Sequence, residues 1–108
     1  VIGWRSSADA RRLAAAGHTV VAAPADRHYL DMAADPDWSA PGTGWAGYVS
    51  VADLDGHDVT AGWSDAERAR LLGVQACLWG EHLPDRPSIE RMLLRCFDLI
   101  ADAAWVTA

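Results

Sequence analysis

Three short runs in this chain, VIGW (1–4), HTVVAAP (18–24) and GVQACLW (73–79), are apolar almost without interruption. A strand with one wet face alternates apolar and polar residues, so runs without alternation describe strands covered on both faces, as in a parallel sheet layered with helices. Helical segments stand between them. SADARRLAAAG (7–17) has helical composition, with Ser7 as its expected N-cap and Gly17 as its stop. SDAERARLL (64–72) carries Ser64 with Glu67 three residues later, a capping-box pattern. The last element is the best defined: Ile89, Met92, Leu93, Cys96, Phe97, Ile100 and Ala104 recur at helical spacing, Glu90, Arg91, Arg95, Asp98 and Asp102 take the other side, and Ser88 caps it after Pro87. The order of elements predicts an α/β fold.

With 108 residues and 51% hydrophobic content, the chain has enough apolar surface for a packed core. Residues 25–63 form a long irregular stretch rich in Gly, Pro, Asp and Trp, too long for a plain connector and therefore a candidate functional loop. The 15 acidic residues outnumber the 9 basic ones, every one of which is Arg. A net charge of −6 argues against a nucleic-acid backbone or an anionic membrane as partner. No apolar run approaches the ~20 residues of a membrane span, and no secretory leader pattern is present, so localisation stays open. The chain starts abruptly on a strand, which reads as a piece of something longer.

Six Trp residues are unusual in a chain of this length. Indole suits sites where a flat apolar face must also carry a polar edge, as sugar rings require. In a parallel sheet the chemistry gathers on the loops at the C-terminal ends of the strands. Trp4 ends the first strand, His28, Tyr29, Leu30 and Asp31 follow the second, and Trp79, Gly80, Glu81 and His82 end the third. Strand parity puts Gln75, Cys77 and Trp79 on one face and Val74, Ala76 and Leu78 on the other. The apolar set belongs under the helices and the mixed set faces the site, with Glu81 following Trp79. Cys77 and Cys96 therefore lie on different layers, and two free thiols are expected.

YLDM (29–32), WAGYVSV (45–51), LLGVQACLWGEH (71–82) and RMLLRCFDLIADAAW (91–105) together resemble the C-terminal part of the catalytic barrel of glycoside hydrolase family 20, the β-N-acetylhexosaminidases. The resemblance implies about three strand-helix units of a TIM (β/α)8 barrel, with residues 1–108 as a C-terminal fragment of the catalytic domain. It also implies retaining hydrolysis of terminal N-acetylglucosamine or N-acetylgalactosamine, with the substrate's own acetamido oxygen as nucleophile. On that resemblance Tyr29 steadies the acetamido oxygen, Asp31 and Glu81 hold ring hydroxyls, Trp4 and Trp79 wall the sugar pocket, and Trp45 lies near the hydroxymethyl group. The implied partners are the N-acetylhexosaminide substrate and the remainder of the barrel, and no cofactor is implied. Members of the family are often exported.

The family's adjacent Asp-Glu pair, which supplies the general acid, is absent: no Asp-Glu dipeptide occurs in the sequence. After Trp4, where an acidic residue commonly follows, stand Arg5 and Ser6. A non-catalytic carbohydrate-binding protein or an inactive remnant is the alternative reading. An enzyme using Asp31 and Glu81 themselves as acid and base is another, and it requires one carboxyl with a raised pKa. Pairs such as His28/Asp31 and Glu81/His82 lack the helical or facial-triad context of a metal site, so none is expected. Trp38 and Trp63 read as loop-packing residues, Trp105 as structural, and Asp55, His57 and Asp58 as a solvated turn.

Overall fold

The computed structural model of the chain describes residues 1–37 and 39–106. In order they form β1 (Ile2–Gly3), α1 (Ser7–Ala15), β2 (Val20–Ala22), α2 (Ala25–His28), α3 (Val51–Leu54), α4 (Asp65–Arg68), β3 (Leu71–Val74) and α5 (Arg86–Val106). The strands make one sheet in the order β1-β2-β3. Both pairings are parallel, with Gly3 opposite Ala22 and Ala22 opposite Val74. The α/β expectation from uninterrupted apolar runs holds.

The local signals explain where most elements begin and stop. The cap of α1 is Ser6 and not Ser7: the Ser6 hydroxyl accepts the Asp9 N–H at 3.0 Å. Its end is a Schellman motif, with Gly17 N–H to the Ala14 carbonyl and His18 N–H to the Leu13 carbonyl, and Gly17 takes the left-handed φ of 93° that the motif needs. The Ser64/Glu67 capping box of α4 forms as read, and a second box, Ser50 with Asp53, starts α3. α5 starts at Arg86, two residues before the expected cap. The Asp85 carboxylate accepts the Ser88 N–H at 2.9 Å and takes the capping role that the sequence suggested for Ser88.

The third strand differs most from expectation. It spans Leu71–Val74 and not 73–79, because Leu71 and Leu72 leave the short helix α4 and the Arg70 carbonyl accepts the Val20 N–H at 2.9 Å. After Val74 the chain stays alongside β2, with Gln75 N–H on the Ala22 carbonyl, and then pairs beyond β2 through an isolated parallel bridge between Cys77 and Tyr29.

Two apolar clusters hold these layers. Ala10, Ala14, Val20, Ala22, Val59 and Trp63 join α1 to one side of the sheet, so Trp63 packs as read. Tyr29, Leu30, Met32, Val49, Leu54, Cys96 and Ile100 join the post-β2 segment to α3 and α5. The buried seam of α5 is Met92, Cys96 and Ile100, narrower than the sequence stripe: Ile89 is 38% and Phe97 52% exposed. Arg95, assigned to the wet face, instead reaches inward and donates to the Met32 carbonyl at 2.9 Å. Trp105, read as structural, is 83% exposed and carries little burial. Trp38 lies outside the described residues. Cys77 and Cys96 are both free thiols. No helix among the described residues is long and apolar enough to cross a membrane.

Gly3 sets how closely α1 approaches the sheet. A Cβ there would lie 2.7 Å from Ala10 Cα and 2.9 Å from Ala10 Cβ, inside any tolerable contact. Gly3→Ala is expected to destabilise the fold by ~1–3 kcal/mol, the usual cost of overpacking. Urea unfolding of the two proteins checks this; an unchanged midpoint would show that the helix yields freely.

Candidate functional site

The site grows from the segments that leave the C-terminal ends of the three strands. Trp4 follows β1 directly. After β2 the single turn α2 carries the chain to Tyr29, where Leu30 N–H binds the Cys77 carbonyl at 2.7 Å and Cys77 N–H binds the His28 carbonyl at 3.0 Å. These two bonds set Tyr29 beside the segment that follows β3, and its ring lies 5.9 Å from that of Trp79. Strand parity survives the break in regular pairing. Gln75, Cys77, Trp79 and Glu81 face the cavity, while Val74, Ala76 and Leu78 pack against the core, which Cys77 also touches.

A second isolated bridge, Met32 with Thr43, folds the long loop back over the site. Thr43 N–H binds the Asp31 carbonyl at 2.9 Å, and Ala33 N–H binds the Thr43 carbonyl at 2.7 Å. Gly42 makes this approach possible: its φ is +101°, and a Cβ there would come within 2.3 Å of the Asp31 carbonyl oxygen. The loop thereby delivers Trp45 to Tyr29, with ring centroids 6.0 Å apart, and to Trp4, at 6.4 Å. Trp4, Trp45, Tyr29 and Trp79 thus form a continuous arc of edge-on and tilted aromatic contacts.

The arc encloses an open cavity of about 570 Å³. All six residues singled out in the sequence line it: Trp4, Tyr29, Asp31, Trp45, Trp79 and Glu81. His82, placed with Glu81 at the end of the third strand, lines it too, and so does Thr43, which was not foreseen. Thr43 sits in a loop with no periodicity to orient it, whereas His82 lies one residue past Glu81, where extended geometry no longer fixes direction. Tyr29 and Asp31 are buried at the floor, at 6% and 3% exposure, and the three indoles are roughly half exposed as walls.

Burial pushes the Asp31 carboxyl above the usual carboxylate range. Its own backbone N–H and that of Trp79 pull it back, the charge of Glu81 raises it further, and His82 lowers it. Its Oδ1 is buried with no hydrogen-bond partner among the described residues. Such a group calls for a donor, and a polar ligand supplies one. Burial also pushes the Tyr29 phenol up, helped by Cys77 and opposed by the Trp79 indole, so it remains a protonated donor at neutral pH. At the rim the Arg5 guanidinium lies 5.7 Å from the Trp4 ring centroid, a cation–π contact. No cluster of three or more His, Cys, Asp or Glu side chains among the described residues is placed to hold a metal ion. The arrangement suits a ring with an apolar face and hydrogen-bond donors at its edge.

Behind the floor sits a feature read in the sequence as a solvated turn. His57 is only partly solvated: its ring meets that of His28 edge-on at 6.1 Å, and His28 Nδ1 and His57 Nε2 are both buried without partners among the described residues. Asp58 is engaged by Thr60, whose N–H and hydroxyl it accepts at 2.8 and 2.7 Å.

Comparison with known proteins adds to this geometry. Residues 1–108 match the family model for the glycosyl hydrolase family 20 catalytic domain. A beta-N-acetylhexosaminidase of Cellulomonas fimi is 30% identical over 105 residues, which cover 94% of this chain and 21% of that protein. A beta-hexosaminidase of Vibrio furnissii is 30% identical over 95 residues, 86% of this chain and 16% of that protein. The crystal structure of a GH20 exo beta-N-acetylglucosaminidase from Vibrio harveyi in complex with N-acetylglucosamine superposes with a TM-score of 0.84 at 29% identity, covering 96% of this chain and 17% of that one. A GH20 beta-N-acetylhexosaminidase from Streptomyces coelicolor A3(2) gives 0.76 at 33% identity, covering 92% and 20%. The chain thus spans about a fifth of the length of these relatives.

The buried imidazole under the floor makes a testable demand on pH. Burial, then the neighbouring His57, lowers the His28 pKa from 6.5 to about 4. The unfolded chain takes up this proton first on acidification, so the stability that neutral His28 contributes is complete above pH 6.5 and is lost as pH falls toward 4. The loss amounts to about 3 kcal/mol over that window, of order 1.4 kcal/mol per unit. Denaturant unfolding from pH 7 to 4 measures it, and His28→Gln is expected to flatten that part of the curve. An equal slope in both proteins would assign the acid sensitivity elsewhere.

Proposed function

Because the chain belongs to glycosyl hydrolase family 20, we propose that its cavity is the sugar-binding part of a β-N-acetylhexosaminidase active site. The substrate is a terminal, non-reducing N-acetylglucosamine or N-acetylgalactosamine. One observation carries this reading: an aromatic arc and two carboxylates converge on a single cavity of about 570 Å³, the size range of a small-ligand site. That the Vibrio harveyi relative was crystallised with N-acetylglucosamine supports it.

In this reading hydrolysis is retaining and substrate-assisted. A general acid protonates the leaving oxygen while the acetamido oxygen attacks the anomeric carbon, so one C–O bond breaks as another forms. Tyr29 donates its O–H to the acetamido oxygen and holds it in line. Water then attacks the same carbon from the opposite face, the acetamido–carbon bond breaks, and the β configuration is restored. Asp31, whose Oδ1 lacks a partner within the described residues, and Glu81 accept from ring hydroxyls. Trp4 and Trp79 enclose the acetamido methyl and the ring, and Trp45 stands at the hydroxymethyl group. Their rigid faces cost little side-chain entropy and exclude water from the reacting centre.

The general acid lies outside this chain, which has no Asp-Glu pair. We assign residues 1–108 to the C-terminal part of a (β/α)8 barrel whose other units supply that pair. β1 and β3 are the sheet's two edges among the described strands, and Leu94 and Phe97 on α5 are 74% and 52% exposed. Pairing of those edges and cover over that face are what the remaining barrel units provide.

Three expectations follow for activity. The 108-residue chain alone is expected to leave an aryl N-acetylglucosaminide intact; turnover by the purified chain would place the acid within it and favour Asp31 or Glu81 in that role. Binding of N-acetylglucosamine by a complete protein that never hydrolyses it would instead favour the non-catalytic alternative. In the complete enzyme, Tyr29→Phe is expected to lower kcat by ~10² to 10³, as loss of one donor at a reorganising oxygen does. Glu81→Gln is expected to act mainly on KM and on gluco/galacto preference, because its contacts are remote from the bond that breaks. Steady-state kinetics of both variants separate these roles, and wild-type kcat/KM in each would reduce them to packing residues.

A further inference from the structure

The cavity contains a nucleophile that the proposed hydrolysis does not use. Cys77 lines it, half-buried, on the same face as Trp79. Its Sγ lies 3.4 Å from Gln75 Nε2, which donates toward it, and no disulfide engages it. A thiol alone is no site, but the same cavity holds an independent mark of ligand binding: Asp31 is 3% exposed, and its buried Oδ1 has no partner among the described residues. The chain also supplies its own control, since Cys96 is fully buried in the seam of α5.

We propose that Cys77 is a thiol-modification site within the cavity, whose reagent is a small neutral or cationic disulfide. The deprotonated Cys77 sulfur attacks one sulfur of the reagent, the reagent's S–S bond breaks as the new one forms, and the departing thiolate takes up a proton from water. No other oxidant is needed. Asp31 and Glu81 line the same space, and their carboxylates select against a carboxylated disulfide. Tyr29, across the Tyr29–Cys77 bridge, lies directly beside the adduct. Where the cavity is the sugar site, a consequence that rests on the function proposed above, the mixed disulfide and the N-acetylhexosamine compete for one space and a reductant restores sugar binding.

The test treats the native full-length protein with cystamine or with dithiodiglycolate and follows adducts by peptide mass mapping. Cystamine is expected to modify Cys77 roughly 100-fold faster than Cys96, which reacts only through opening of the core. It is also expected to outpace dithiodiglycolate at Cys77, and dithiothreitol is expected to remove the adduct. Equal labelling of the two cysteines, no adduct on Cys77, or faster reaction of the carboxylated reagent would overturn the proposal. N-acetylglucosamine is expected to slow exchange at Cys77 and leave Cys96 unaffected. Selective exchange at Cys77 that this sugar does not slow would uphold the modification site and overturn the sugar reading instead.

Discussion

Everything at the site depends on one short piece of parallel pairing beyond the regular sheet. The Leu30 N–H to the Cys77 carbonyl, at 2.7 Å, and the Cys77 N–H to the His28 carbonyl, at 3.0 Å, tie the segment after β2 to the segment after β3. Side chains alternate along each of these extended segments, so fixing Tyr29 against Cys77 also fixes Asp31 and Trp79 on the cavity side. A slip of one residue in this bridge would turn Tyr29 and Asp31 away from the cavity together. Leu30, between them, is buried in the core. Its burial holds the register, so packing on one side of the segment places chemistry on the other.

The loop that completes the site is held by equally local means. Gly42 brings the backbone against the Asp31 carbonyl, Thr43 bonds to it, and Trp45 reaches the cavity two residues later. That contact also occupies the Asp31 main chain while its side-chain Oδ1 stays unpartnered within the described residues. The floor is therefore organised around a residue whose backbone carbonyl is satisfied and whose carboxylate Oδ1 is not. Burial raises its pKa and neighbouring N–H groups resist the rise, which suits an acceptor held ready for hydroxyl donors and costs stability where no donor comes.

Residue type and alternation make the cavity-facing side of the segment after β3 legible in the sequence: Gln75, Cys77, Trp79 and Glu81 do share the cavity. The boundaries of β3 itself were not legible, because Leu71 and Leu72 suit the end of a helix as well as the start of a strand, and only the bond from Val20 to Arg70 decides between them. Caps shifted for a similar reason. Ser6 and Ser7 are adjacent, each able to cap, and the choice rests on which hydroxyl meets the Asp9 N–H. The aromatic identity of the site was readable from Trp4, Tyr29, Trp45 and Trp79, whereas Thr43 entered through loop geometry that no periodicity encodes. The half-burial of His57 was not legible because polar residues in a Gly- and Asp-rich stretch suggest water, and nothing in the sequence places its ring against His28.

The apolar stripe of α5 separates what periodicity encodes from what packing achieves. Met92, Cys96 and Ile100, four residues apart, form the seam that the rest of this chain covers. Leu94, Phe97 and Trp105 sit round the helix from that seam, at 74%, 52% and 83% exposure. Three large apolar side chains on one helix exceed what scattered surface residues require, and their cost in water is offset only by another covering surface. Under the proposed barrel assignment that surface is a neighbouring strand-helix unit. Under that assignment the apolar width of α5, which includes Leu94 and Trp105 outside the stripe read from the sequence, would serve neighbours beyond the seam, while Met92, Cys96 and Ile100 meet those within these 108 residues. On that proposal, the excess apolar width of α5 is what a helix packed between the sheet and a further unit would carry.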